Sequence, residues 1–182
     1  KVIELIPKLE SIKGRCQLIA THPNGAKIYL DYAHTPEALK EVLSNLRSKM
    51  MEGKLYILFG CGGDRDKSKR IVMGRIAAKF SDGAFITDDN PRNENPKKIR
   101  KQILAGFLPQ TGVMVKEIEK RQKAIKTAIS KLKNNDSLII AGKGHEDYQI
   151  IGEEKQKFDD KKITKEEIKK IAKKYKIKKP LE

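Results

Sequence analysis

Short apolar runs alternate with amphipathic stretches along most of this chain, and that alternation constrains the fold more than any other feature. Residues 55–59, 84–87, 113–118 and 137–141 read as strands. Between them, apolar residues recur at helical spacing: Leu39, Val42, Leu43 and Leu46; Met73, Ile76, Ala77 and Phe80; Ile99, Ile103 and Leu104; Ala124, Ile125, Ala128, Ile129 and Leu132. Thr35-Pro36 and Asn95-Pro96 are helix starts, with proline placed where no backbone N–H is needed. Thr164 with Glu167 reads as the capping box of a last helix whose Ile168, Ile171 and Ala172 face inward. Residues 16–21 and 27–31 form a hairpin around Pro23-Asn24-Gly25, and residues 148–151 and 155–158 a second around Gly152-Glu153. Strand, loop and helix in repetition predict an α/β fold: a Rossmann-like, mostly parallel sheet flanked by helices on both faces, with an antiparallel edge hairpin.

Residues 1–14 read as a linker helix broken by Pro7, residues 15–175 as one domain, and residues 176–182 as a frayed basic tail. The first residue is Lys1 rather than methionine, which suggests a piece of a longer protein. No apolar run reaches a membrane span and no signal peptide opens the chain, so a cytoplasmic location is expected. Cys16 and Cys61 lack zinc spacing and read as reduced thiols.

In a parallel sheet, ligands bind beyond the carboxyl ends of the strands. The loops at 31–36, 60–67, 88–92 and 142–146 all follow strands and carry Gly, Asp, Arg and His, whereas 48–54 and 133–136 are ordinary turns. Asn90-Pro91 fixes a turn, because the residue before proline is pushed out of the helical region. Arg92 then stands on a stiff corner, where a guanidinium can grip a carboxylate through two hydrogen bonds. The plainer reading is a solvated arginine on a βα turn. Asp31 and His34 suit either nucleotide contact or a helix cap with a structural histidine. Gly60-Cys61-Gly62-Gly63 lacks the Gly-Lys-Ser/Thr of a phosphate loop, and its glycines let Asp64-Arg65-Asp66-Lys67 turn toward a ligand. Arg65 between two aspartates also suits a plain ion-pair network. Gly142-Lys143-Gly144-His145-Glu146 permits close backbone approach and offers Glu146 to an ammonium; alone, it is equally a turn with exposed charges. His145 has no second metal ligand at suitable spacing, and no Ser-His-Asp or Cys-His set appears. Arginines for carboxylates beside acids for an ammonium fit a ligand with several of both, such as a diamino acid.

The formal net charge of +16 raises the question of nucleic acid. Only 5% of residues are aromatic, lysines spread along the chain, and no basic–aromatic interleaving of the base-stacking kind occurs, so the charge reads as solvated helix faces.

The ordered set Gly14-Arg15, Asp31-Tyr32-Ala33-His34-Thr35-Pro36, residues 60–67, Asp89-Asn90-Pro91-Arg92, residues 142–146 and Phe158-Asp159-Asp160 strongly resembles the C-terminal domain of the Mur ligases, in the branch that adds the third residue of the peptidoglycan stem. The resemblance implies ATP-dependent amide formation: the D-glutamate carboxylate of UDP-N-acetylmuramoyl-L-alanyl-D-glutamate is phosphorylated, the incoming amine attacks, and phosphate leaves. In that family Asp-Asn-Pro-Arg marks members that take meso-2,6-diaminopimelate rather than lysine. An arginine matched to the extra carboxylate would be left unpaired with lysine. Carried over by motif, Arg65, Asp89, Asn90, Pro91, Arg92, Gly142 and Glu146 would bind diaminopimelate. Arg15, Asp31 and His34 would contact ATP. No residue here would do covalent chemistry or bind metal. ATP and Mg²⁺ would be held mainly by a central domain and the uridine nucleotide by an N-terminal domain, both outside this sequence, so this chain is expected to be inactive alone. Three other readings stay open, one of them a stand-alone scaffold that has lost activity. A sister Mur or folylpolyglutamate-type ligase domain should lack Asp89-Asn90-Pro91-Arg92. A basic nucleic-acid-binding module should bind with steep salt dependence.

Overall fold

The computed structural model describes residues 13–108 and 112–178. Six strands form the main sheet: β1 (Gln17–Thr21), β2 (Lys27–Leu30), β3 (Leu55–Phe59), β4 (Gly83–Ile86), β5 (Met114–Glu117) and β6 (Ser137–Ile140). Their spatial order is β1-β2-β6-β3-β4-β5. All neighbours pair in parallel except β1, which joins β2 antiparallel at the edge with an irregularity between Leu18 and Ala20. The expected α/β architecture with its edge hairpin is present. A separate antiparallel pair, β7 (Tyr148–Ile151) and β8 (Glu154–Lys157), follows β6.

Because alternate strand residues point to opposite faces, each central strand supplies two cores. Ile57, Phe59, Ala84, Ile86 and Ile139 pack with α1 (Pro36–Ser48), α2 (Ser68–Phe80) and α3 (Pro96–Leu104). Leu58, Phe85, Leu138 and Ile140 pack on the other face with α4 (Arg121–Lys131) and α5 (Asp160–Lys178). Right-handed crossovers explain the layering. Helices α1 to α3 serve connections running one way across the sheet, and α4 serves the return from β5 to β6. That return inserts β6 between β2 and β3, so neighbouring loops diverge there and leave a crevice.

The expected caps hold for two helices. Thr35 accepts the Ala38 N–H at 3.3 Å, and Asn95 accepts those of Lys97 and Lys98. The last helix differs. Thr164 is not its cap but a buried residue in its second turn, its hydroxyl without a hydrogen-bond partner among the described residues. The helix starts one turn earlier, where Asp159 accepts the Lys162 N–H at 3.0 Å and Asp160 is tied to a buried arginine of α4. That ion pair is long-range in sequence, so local capping rules miss it. Helix α5 runs through Lys178, beyond the expected start of the tail at residue 176. The linker helix expected over residues 1–14 falls almost wholly outside the described residues, as do residues 179–182 of the tail.

Candidate functional site

The loops after β2, β3, β4 and β6 meet at one edge of the sheet. They enclose a hollow of about 520 Å³ lined by Tyr32, His34, Arg65, Asp89, Asn90, Arg92, Gly142, Glu146 and neighbours. The loops approach too closely for side chains between them. A Cβ on Gly63 would lie 1.8 Å from the Pro91 carbonyl oxygen, and one on Gly60 2.2 Å from that of Thr87. These glycines therefore serve loop-to-loop packing, which a phosphate-loop comparison does not reveal.

Arg92 adopts φ +50, a left-handed backbone uncommon outside glycine. Three neighbours hold it there. Its N–H donates to the Ile150 carbonyl at 3.1 Å, its carbonyl accepts from the Gly152 N–H at 2.9 Å, and its Nη1 donates to the Gly63 carbonyl at 2.8 Å. Among the described residues its Nη2 and Nε have no protein partner. The expected stiff corner thus exists, but the β7–β8 hairpin stiffens it as much as proline does. Arg65 is exposed at the rim and donates only to the Asp64 carbonyl, at 3.2 Å. Pro91 is buried behind the hollow rather than lining it.

Asn90 is largely spent within the protein. Its Oδ1 accepts from Lys143 Nζ at 2.9 Å and from the Ile150 N–H at 3.0 Å, and its Nδ2 donates to Glu146 Oε2 at 3.2 Å. One N–H of its amide remains for a ligand. Asp89 Oδ1 accepts the Asn90 N–H at 2.7 Å, while Oδ2 is buried without a hydrogen-bond partner among the described residues, 3.9 Å from Arg121 Nη1. Gly142, at φ +106, passes so near that a Cβ would sit 2.9 Å from Asp89 Oδ2. Its carbonyl accepts no protein hydrogen bond among the described residues.

The three residues assigned to a nucleotide separate. His34 lines the main hollow, whereas Arg15 and Asp31 line an adjoining one of about 270 Å³. Tyr32 stands between them, with the Arg15 guanidinium 5.4 Å above its ring and His34 edge-on at 4.7 Å. Asp31 also braces the fold: its two carboxylate oxygens accept the Cys16 and Ala33 N–H groups, each at 2.6 Å.

Among the described residues, three cations with fully buried side chains escaped the sequence reading. Arg70 meets Glu94 through two 2.9 Å bonds and Gln102 at 2.6 Å, and those hydrogen bonds hold the Glu94 carboxyl down at about 2. Glu94 also accepts the Asp64 N–H, so this pair ties the loop after β3 to the one after β4. Arg121 binds both oxygens of Asp160 at 2.9 and 2.7 Å and the Ala141 carbonyl at 3.0 Å, anchoring the end of β6. Lys143, which the plainer turn reading would leave exposed, is completely buried. Asp88, by contrast, faces away from the hollow toward Arg100, and burial raises its carboxyl. The sequence signal for the arginines is weak: each sits in the first turn of an otherwise amphipathic helix. Among the described residues no group of three or more His, Cys, Asp or Glu could hold a metal, and no helix is long and apolar enough to cross a membrane.

A family model described as "Mur ligase, glutamate ligase domain" matches residues 14–144. Among curated relatives, the UDP-N-acetylmuramoyl-L-alanyl-D-glutamate--2,6-diaminopimelate ligase of Rickettsia typhi is 50% identical over 165 residues, 90% of this chain and 32% of that protein. One of that name from Clostridium acetobutylicum is 46% identical over 172 residues, 94% of this chain and 35% of that protein. A solved structure titled with the same ligase name superposes with a TM-score of 0.81 at 36% identity, covering 94% of this chain and 34% of that one. A folylpolyglutamate synthase/dihydrofolate synthase from Yersinia pestis shares the fold, with a TM-score of 0.56 at 20% identity over 72% of this chain and 28% of its own. The chain spans about a third of the length of the curated relatives it matches.

Proposed function

The chain belongs to the Mur ligase family, in its glutamate ligase domain, and on that premise we propose that its hollow receives meso-2,6-diaminopimelate, the amino acid that a longer ligase joins to UDP-N-acetylmuramoyl-L-alanyl-D-glutamate at the expense of ATP. The observation that carries this reading is the arrangement of charge. Arg92 is anchored through Nη1 and keeps Nη2 and Nε, while Glu146 is anchored through Oε2 and keeps Oε1, and both line one hollow. A guanidinium supplied this way takes a carboxylate, with Arg65 at the rim for a second. Glu146, Asp89 and the Gly142 carbonyl take an ammonium. Asn90 contributes its remaining N–H, and Pro91 shapes the turn from behind.

ATP, when bound, supplies the activation of the acceptor carboxyl. The residues of this chain that suit it are Arg15, a cation for phosphate, and His34 beside Tyr32, rings for the base. Asp31 suits a ribose hydroxyl only through lone pairs not already used by Cys16 and Ala33. Among the described residues no group of three or more His, Cys, Asp or Glu is placed to hold magnesium. This domain positions the amine and stabilises charge while the acyl group is brought to it. Isothermal titration of the 182-residue chain tests the reading: meso-diaminopimelate should bind at least tenfold more tightly than L-lysine, which lacks the second carboxylate. Equal affinity, or a preference for lysine, overturns it.

A further inference from the structure

Lys143 is buried directly beneath the hollow, and nothing in the reading above uses it. Its side chain is 0% exposed. Three features surround its ammonium: Asn90 Oδ1 at 2.9 Å, Glu146 Oε2 at 3.4 Å, and the ring of Tyr148 with its centroid 5.6 Å away. An ammonium has three N–H groups and no acceptor, and these features account for its donors with none left to reach a ligand. Burying such a charge is unfavourable unless it is paired and hydrogen-bonded, so its place here needs a reason.

The reason lies in Glu146. That carboxylate has one oxygen, Oε2, held from two directions by Asn90 Nδ2 and Lys143 Nζ. Its other oxygen has no hydrogen-bond partner among the described residues, and the residue lines the hollow. We propose that Lys143 is a positioning residue: it acts through Asn90 and Glu146, locking Glu146 in one rotamer so that Oε1 is offered to the ligand's ammonium. The same Lys143–Asn90 contact fixes the Asn90 carbonyl that accepts the Ile150 N–H, and Ile150 in turn receives the Arg92 N–H. One buried cation therefore holds the ammonium-binding and the carboxylate-binding ends of the hollow in register. This inference rests on the ligand assigned above, but its structural half is separately measurable.

The experiment combines NMR of the 182-residue chain with calorimetry on Lys143→Met, Glu146→Gln and the double variant. In the unsubstituted protein Lys143 should show a slowly exchanging ammonium resonance, with proximity to the Asn90 side-chain amide. An ammonium exchanging as fast as those of surface lysines overturns the proposal, whether or not any variant folds. Lys143→Met should weaken meso-diaminopimelate binding about tenfold or more, the scale of a lost charged hydrogen bond. Its effect should largely vanish in the Glu146→Gln background, because residues acting as one unit are not additive. An unchanged affinity in Lys143→Met, or fully additive losses, overturns it. If the unsubstituted chain binds no diamino acid, the ligand assignment fails; the ammonium resonance and the response of the Asn90 amide to Lys143→Met then decide the positioning role alone.

Discussion

Glu94→Gln perturbs the brace that holds the two arginine-bearing loops together. In the native chain the Glu94 carboxylate takes two 2.9 Å bonds from Arg70 and one of 2.7 Å from the Asp64 N–H. The Arg70 hydrogen bonds, helped by Asp64 and Lys67, lower its pKa from 4.5 to about 2. A carboxyl whose folded pKa lies below its unfolded value stabilises the fold fully above the unfolded value. That contribution is lost as pH falls from about 4.5 through about 2. The full shift would be worth at most about 3–4 kcal/mol at neutral pH. The Glu94 side chain keeps some contact with water, so screening reduces this to about 1–2 kcal/mol. Guanidinium unfolding in steps from pH 7 to pH 2.5 measures it. The native chain should lose about 1–2 kcal/mol more than Glu94→Gln across that window. Other carboxyls that titrate there, such as Asp82 and Asp88, cancel in the comparison. Identical pH dependence in the two proteins would refute the brace.

Gly63→Ala should lower stability by at least about 2 kcal/mol, as overpacking does, because its Cβ would fall on the Pro91 carbonyl; thermal unfolding followed by circular dichroism reads this. Asp160→Asn removes the carboxylate that takes two hydrogen bonds from buried Arg121 and leaves Asp89, 3.9 Å away, as a weaker counter-charge; it should cost about 3 kcal/mol in denaturant unfolding. Burial pushes the Cys61 thiol up to about 12, so at pH 8 an aromatic disulfide reagent should titrate half-buried Cys16 first. Release from Cys61 should appear only on unfolding, and equal rates for the two thiols would contradict its burial.

The sequence by itself determined the layers, the edge hairpin and the edge of the sheet at which the loops rich in Gly, Asp and Arg gather. Those follow from local period and from the handedness of crossovers, which require no knowledge of distant contacts. The buried apolar residues of α1 and α4 appear in the apolar spacing, from Leu39 to Leu46 and from Ala124 to Leu132, whereas buried Arg121 does not. The fate of each charge was decided only by tertiary structure. Lys143 looks like a turn lysine until Asn90 and Glu146 arrive beside it, and Thr164 looks like a cap until Arg121 draws Asp160 into the helix start. Of the residues read as ligand contacts, Asn90 spends most of its hydrogen-bonding capacity on the fold and Asp31 about half. Burial of an ion is set by partners dozens of residues away, and a sequence window carries the charge but not the counter-charge that makes its burial tolerable.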